Sequence, residues 1–342
     1  MIDLFVVGGG PAGLATAIHG ALAGFEVVVA EPRGTPVDKA CGEGLMPGAV
    51  RALDALGVAA PGRPLRGIRY LDAAGGRCAE AEFLAGPGLG VRRTLLHAAL
   101  AARAAELGVT VVPRRVRRVG QYDTHVEADG TSARYLVAAD GLHSPVRRSL
   151  GLEVPPAGRA RPARYGLRRH YAVEPWSDLV EVYWSAGREA YVTPVGPREV
   201  GIAVLTSEQC AYDAQLAAFP LLLSRLGGAG RTPVRGAGPL RREARTRVAG
   251  RVLFVGDAAG YVDALTGEGL ALALASAGEL VRCVREGRPA AYEGAWCRLS
   301  RSYRLLTRSL LWARNQPRLA PLIVPAAARF PGVFGRAVNL LA

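Results

Sequence analysis

Gly8, Gly10 and Gly13 follow a G-x-G-x-x-G spacing, directly after the apolar run at 2–7 and directly before an Ala-rich segment that continues to about Ala23. Glycines so spaced permit a tight turn, close backbone approach to a pyrophosphate and close helix–strand packing. The helix start that follows offers free N–H groups and the positive end of its dipole to the phosphates. Glu31 ends a second apolar run, Val27–Ala30, about 20 residues on, where a carboxylate can bond ribose hydroxyls and repel a 2′-phosphate. Strand, glycine turn, helix, strand and terminal carboxylate make a complete βαβ dinucleotide unit. The carboxylate argues against NADP in this site.

Two later segments choose between NAD and FAD. Ala139-Asp140-Gly141-Leu142-His143-Ser144-Pro145-Val146-Arg147-Arg148 follows a buried apolar strand at 134–140. Gly256-Asp257-Ala258-Ala259 ends the run at 251–259 and leads to Leu265-Thr266-Gly267-Glu268-Gly269-Leu270 at a helix start. An aspartate ending a buried strand beside small residues can accept a ribitol hydroxyl. The Gly267/Gly269 turn presents backbone N–H groups to a flavin pyrimidine. Each segment alone also reads as a turn with a helix cap; in this order they point to FAD.

In these three segments the chain resembles the FAD-dependent hydroxylases of the para-hydroxybenzoate hydroxylase fold and their relatives the geranylgeranyl reductases. The stretch Lys39-Ala40-Cys41-Gly42-Glu43-Gly44-Leu45-Met46-Pro47 resembles the reductase branch, where it lies against the flavin. The resemblance implies FAD contacts from Ala12, Glu31, Cys41, Gly42, Gly44, Arg93, Val116, Asp257, Gly269 and Leu270. It places Asp140 and Arg147 in a segment associated with both FAD and the nicotinamide donor. Two positions depart from the pattern. Ala190-Tyr191-Val192-Thr193-Pro194-Val195-Gly196 stands where the reductases carry an aromatic-rich Y-x-W-x-F-P, and Ala264 stands where many members have proline. The first departure counts against a polyprenyl reductase. Halogenases of this fold need a lysine for the halogenating species. Lys39, the only lysine, lies in the cofactor segment, so a halogenase ranks low.

The implied activity is an NAD(P)H-driven monooxygenase that hydroxylates a bulky phenolic or polyketide-like substrate through a C4a-hydroperoxyflavin. The alternative is an FAD-dependent reductase of isoprenoid C=C bonds. NADPH or NADH would dock transiently, because no second dinucleotide fingerprint is present.

The elements expected to position these residues are α/β: a discontinuous Rossmann-type FAD-binding domain with an inserted antiparallel sheet and C-terminal helices. The FAD-binding part spans 1–65, 93–160 and 240–290, the substrate part 66–92 and 161–239, and the helical segment 291–342. A hairpin at 66–83 turns at Gly75-Gly76, a helix runs from Arg93 to Leu107, and short strands follow at 109–128. Segments 163–173, 178–184, 189–195 and 198–205 alternate as strands. Their inward residues are candidates for the cavity over the flavin: Arg168, His170, Tyr183, Trp184, Tyr191 and Thr193. Arg168, His170 and Tyr191 are the catalytic candidates, and the alternation puts Arg168 and His170 on one face, able to bind a phenolate.

The net charge of +14 comes almost wholly from scattered arginines, with no interleaved aromatics or recognisable module for nucleic acid. Five widely spaced cysteines form no C-x-x-C pair and no metal-ligand cluster, so neither a disulfide nor a metal is expected. No run approaches a spanning helix, and a first strand at Ile2 leaves no room for a signal peptide, so a cytoplasmic protein is expected. The stretch Arg298 to Arg318 aligns Leu299, Tyr303, Leu306 and Leu310 on one helical face, a packing stripe or a peripheral membrane contact. The expected partner is a hydrophobic or aromatic small molecule.

Overall fold

The computed structural model describes residues 1–73, 76–155, 163–228 and 230–342. Its first layer is a mostly parallel sheet. Ile2–Val7 lies between Val27–Ala30 and Thr131–Ala138, with Thr110–Val112 on one side and Val252–Phe254 on the other. Helices cover the middle of the sheet, so Leu4–Val7, Val29, Ala30, Leu136–Ala138 and Val252–Phe254 are buried, while the edge strand Thr110–Val112 is partly exposed. Helix Pro11–Leu22 packs against helix Gly269–Arg285 and helix Arg93–Glu106. Pro11 occupies the first turn, where its missing N–H costs nothing. Residues 251–259 are not one strand: Val252–Phe254 is extended, and Gly256–Ala259 is a 3-10 turn that lifts Asp257 off the sheet edge.

The second layer is a seven-stranded sheet in the order Arg235–Ala237, Tyr165–Tyr171, Glu199–Thr206, Arg188–Gly196, Leu179–Ser185, Gly67–Asp72, Cys78–Glu82. Its pairs are antiparallel except that Leu179–Ser185 runs parallel to Gly67–Asp72. The hairpin at 66–83 is thus built into this sheet; its turn residue Gly75 lies outside the described residues. Gly88–Gly90 instead joins Gly44–Leu45 and Arg63–Leu65 in a small three-stranded sheet between the layers. The four expected strands appear at Tyr165–Tyr171, Leu179–Ser185, Arg188–Gly196 and Glu199–Thr206, and the alternation is real. Val180 and Val182 face the interlayer space, while Tyr183 faces a separate core with Tyr171, Phe219 and Leu222.

The C-terminal part closes the space from a third side. Helix Arg301–Arg314 runs along it, followed by Ile323–Arg329 and Pro331–Asn339. The last two pack Phe334, Val338 and Ala327 on Ala79 and Ala81 of the edge strand.

Candidate functional site

The glycine turn shows why its spacing is demanded. Gly8 has φ +107°, a left-handed value that favours glycine. A Cβ on Gly13 would stand 1.9 Å from the Gly8 carbonyl oxygen, so the helix can approach the first strand this closely only without a side chain. Gly10 caps the helix without any side-chain acceptor, leaving the helix start open. The Gly9 N–H donates to Glu31 Oε2 at 2.9 Å, and the Arg33 side chain grips both Glu31 oxygens. Burial alone would raise the Glu31 carboxyl; the bonds from Arg33 and Gly9 hold it below its usual value. Glu31 is therefore tied into the turn itself.

Between the layers lies a cavity of about 890 Å³. At one end it meets Gly10, Ala12, Cys41, Arg93, Asp140 and Asp257. Gly42, Gly44, Gly267, Gly269 and Leu270 also border it. Sequence segments up to 260 residues apart, from Gly10 to Leu270, thus share one wall. Gly8, Gly13, Glu31 and Val116 do not line it: the first three shape the turn behind it, and Val116 is buried in the core of the first layer. Arg147 is fully buried and donates to the carbonyls of Leu142, Asp257 and Ala258. It straps the two aspartate-bearing turns together from behind the cavity wall.

The wall carries several unmet polar groups. Arg93 is buried and its Nη1 has no partner among the described residues. Burial lowers its pKa, while the Asp257 and Glu43 carboxylates act in the opposite direction. Asp140 accepts from the Val146 N–H through Oδ2, while its Oδ1 is unpartnered. Burial raises Asp140 and Asp257 above the usual carboxylate range. Burial also pushes the Cys41 thiol up, so it keeps its proton at neutral pH. Lys39, drawn toward Asp257, borders the same wall; burial lowers its pKa. A buried cation without a partner, two carboxyls with free oxygens and an open helix start fit a ligand carrying phosphates, hydroxyls and a polar ring. FAD is such a ligand.

The substrate-side candidates separate. Tyr191 lines the cavity, and its hydroxyl donates to the Leu265 carbonyl at 2.7 Å. Thr193 lines it too and donates to the Gly42 carbonyl. Arg168 borders it but bonds Asp38 and the Lys39 carbonyl. His170 sits behind it, with Nε2 against Glu43 Oε2 at 2.6 Å. The pair is therefore committed to protein carboxylates rather than left free for a phenolate.

Several lining residues had no sequence motif. Ile68, Tyr70 and Tyr261 border the cavity, and Leu306, Leu310, Phe330, Val333, Phe334 and Leu341 line its far end. The stripe containing Leu306 and Leu310 was visible as helical spacing, but what it faces was not. Glu43 was missed as an anchor. Its φ of +62° is unusual for a residue with a side chain and marks a loop held in place from outside. Among the described residues no His/Cys/Asp/Glu group suits a metal, and no helix is long and apolar enough to cross a membrane.

The comparisons with known proteins agree with this geometry. A family model described as an FAD binding domain matches residues 1–200. The menaquinone reductase of Mycolicibacterium smegmatis is 30% identical over 99% of this chain and 91% of its own length. Digeranylgeranylglycerophospholipid reductase 1 of Methanothermobacter thermautotrophicus is 28% identical over 79% of this chain and 73% of its own. Among solved structures, the flavin-dependent brominase Bmp2 superposes with a TM-score of 0.84 at 17% identity, covering 99% of this chain and 93% of that one. A flavoprotein/dehydrogenase from Cytophaga hutchinsonii gives 0.78 at 18% identity over 99% and 96%. The glycine turn, the aspartates at the strand ends and the family match converge: this chain belongs to the FAD-binding domain family and is an FAD-dependent oxidoreductase.

Proposed function

We propose that the protein is a reductase of carbon–carbon double bonds in a polyprenyl lipid, of the class that includes menaquinone and archaeal isoprenoid lipids. The observation that carries this reading is the cavity: it runs from the glycine turns to the C-terminal helices, and apolar side chains from both the sheet and the helices form its walls. An isoprenoid tail is long, uncharged and branched, and such a lining solvates it without an unmet polar group. The reductases similar in sequence over most of the chain support the reading. Absence of the Y-x-W-x-F-P stretch does not oppose it, since Ile68, Val180, Val182, Ala203 and Leu205 supply an apolar wall in its place.

The flavin, when bound and reduced, supplies the two electrons. The chain's own residues bind, exclude water and hold protons. Arg93 balances negative charge at the cofactor end, and the Gly267–Gly269 turn puts backbone N–H groups there. Cys41 holds a proton on Sγ beside the same wall. Tyr191 is occupied in fixing the Leu265 turn, so its role is positioning. We further infer that NADPH or NADH reduces the cofactor after transient docking, since the chain offers one glycine fingerprint.

Ring hydroxylation is the second reading. Tyr70, Tyr191 and Tyr261 give the cavity aromatic walls against which a ring can stack.

Anaerobic incubation of the FAD-loaded protein with NADPH or dithionite and menaquinone, followed by mass spectrometry, tests the first reading. A product two hydrogens heavier that survives re-oxidation in air has a reduced tail, because a reduced quinone ring reverts. Oxygen-dependent formation of a hydroxylated phenol, with no such product, would replace it with the second.

A further inference from the structure

We propose that the face formed by the two C-terminal helices and the loop after Glu82 docks on an anionic lipid bilayer, and that the cavity opens into this face. The inference deepens the reading of the cavity as a lipid site.

Helices Ile323–Arg329 and Pro331–Asn339 bury one side on the edge strand through Phe334 and Val338. The other side stays bare. Phe330 is 60% exposed, Val333 67% and Leu340 62%. Their spacing follows one helical face. Leu84, 84% exposed, joins them, because its backbone N–H donates to Asn339 Oδ1 at 2.7 Å. Large apolar side chains gathered in this way on a monomer mark an interaction surface. Phe330 and Val333 also line the cavity, so the bare face is its mouth.

Charge identifies the occupant. The chain has eight arginines and no Asp or Glu after Glu293. Arg318, Arg329 and Arg336 are exposed and form no ion pair among the described residues. Glu82, the nearby carboxylate, is held by Arg66. A second copy of so basic a face would be repelled, whereas apolar side chains flanked by unpaired guanidinium groups suit an anionic membrane surface. The sequence pointed to Arg298 to Arg318 for such a contact. The structure moves it, because Tyr303 and Thr307 of that helix are buried and Leu306 and Leu310 face the cavity.

Flotation of the FAD-loaded full chain tests the inference without any substrate. It should rise with phosphatidylglycerol-rich vesicles at low salt and stay below with pure phosphatidylcholine. Arg329→Glu/Arg336→Glu and Leu340→Glu, outside the cavity lining, should each weaken vesicle binding about tenfold or more while leaving flavin absorbance unchanged. Wild-type protein that fails to float, variants that float equally well, or a concentration-dependent dimer abolished by Leu340→Glu would overturn it. A chain that floats but reduces no polyprenyl tail refutes only the proposed function; one that reduces a detergent-dispersed lipid yet never floats refutes only the docking face.

Discussion

His170 Nε2 lies 2.6 Å from Glu43 Oε2, joining two fully buried side chains 127 residues apart. Arg168 Nη1 faces the other ring nitrogen, Nδ1, at 3.2 Å. Thr232 Oγ1 shares that nitrogen at 3.0 Å; with the guanidinium donating to Nδ1, the Nε2–H is directed at Glu43. Glu43 Oε1 meanwhile accepts from the Arg93 backbone N–H. One carboxylate thereby ties the substrate-side sheet, the Cys41–Gly44 loop and the start of the helix carrying Arg93. His170→Phe leaves one Glu43 oxygen buried without its donor. We expect a stability loss of about 2–4 kcal/mol and weaker FAD binding. Denaturant titration and flavin-release fluorescence measure both; unchanged values would show that the contact holds nothing.

Arg93 is expected to work against the fold and for the cofactor. An unpartnered buried cation is costly in the empty protein. Arg93→Met should raise the stability of cofactor-free protein while weakening FAD affinity by about tenfold or more. Thermal melts with and without added FAD separate the two effects. A variant that loses stability in both states would make Arg93 merely structural.

Gly13→Ala should yield colourless protein. Its methyl group would meet the Gly8 oxygen at 1.9 Å, which the turn cannot absorb without opening. Gly332→Ala, with nothing within 4 Å of its Cβ, serves as the neutral control. Absorbance of the purified variants at the flavin band decides, and a yellow Gly13→Ala protein would contradict the packing.

Glu268 gives the protein a pH dependence. Burial pushes its carboxyl up to about 8, and its Oε1 has no partner among the described residues. Between the ordinary carboxylate value and about 8 the folded chain holds a proton that the unfolded chain has lost. Stability from this group is therefore full at low pH and falls as pH rises through that window, by at most on the order of 5 kcal/mol. Glu268→Gln should flatten the loss, which melting temperatures between pH 6 and pH 9 will show. Equal slopes for both proteins would mean the carboxyl finds a partner.

The cavity makes a length prediction. Ala337 lines it near the mouth, on the last helix. Ala337→Trp should cut kcat/KM for a long polyprenyl substrate about tenfold or more and change that for a short-tailed analogue little. Equal losses for both lengths would place the obstruction at the flavin end.

What the sequence determined by itself was local chemistry. The glycine turn, Glu31, the aspartates at 140 and 257 and the Gly267/Gly269 helix start are consecutive or nearly so, and their geometry follows from backbone conformation within a few residues. Strand alternation was equally legible, because its period depends only on the pleat. Partnership between distant segments was not. That Arg147 is a buried strap, that Arg168 and His170 spend themselves on Asp38 and Glu43, and that Val116 is core all depend on which chain segment lies opposite. The C-terminal helices show the limit most clearly. Their apolar and basic residues are plain in the sequence, but only packing on the edge strand decides which side chains are buried, which line the cavity and which stay bare.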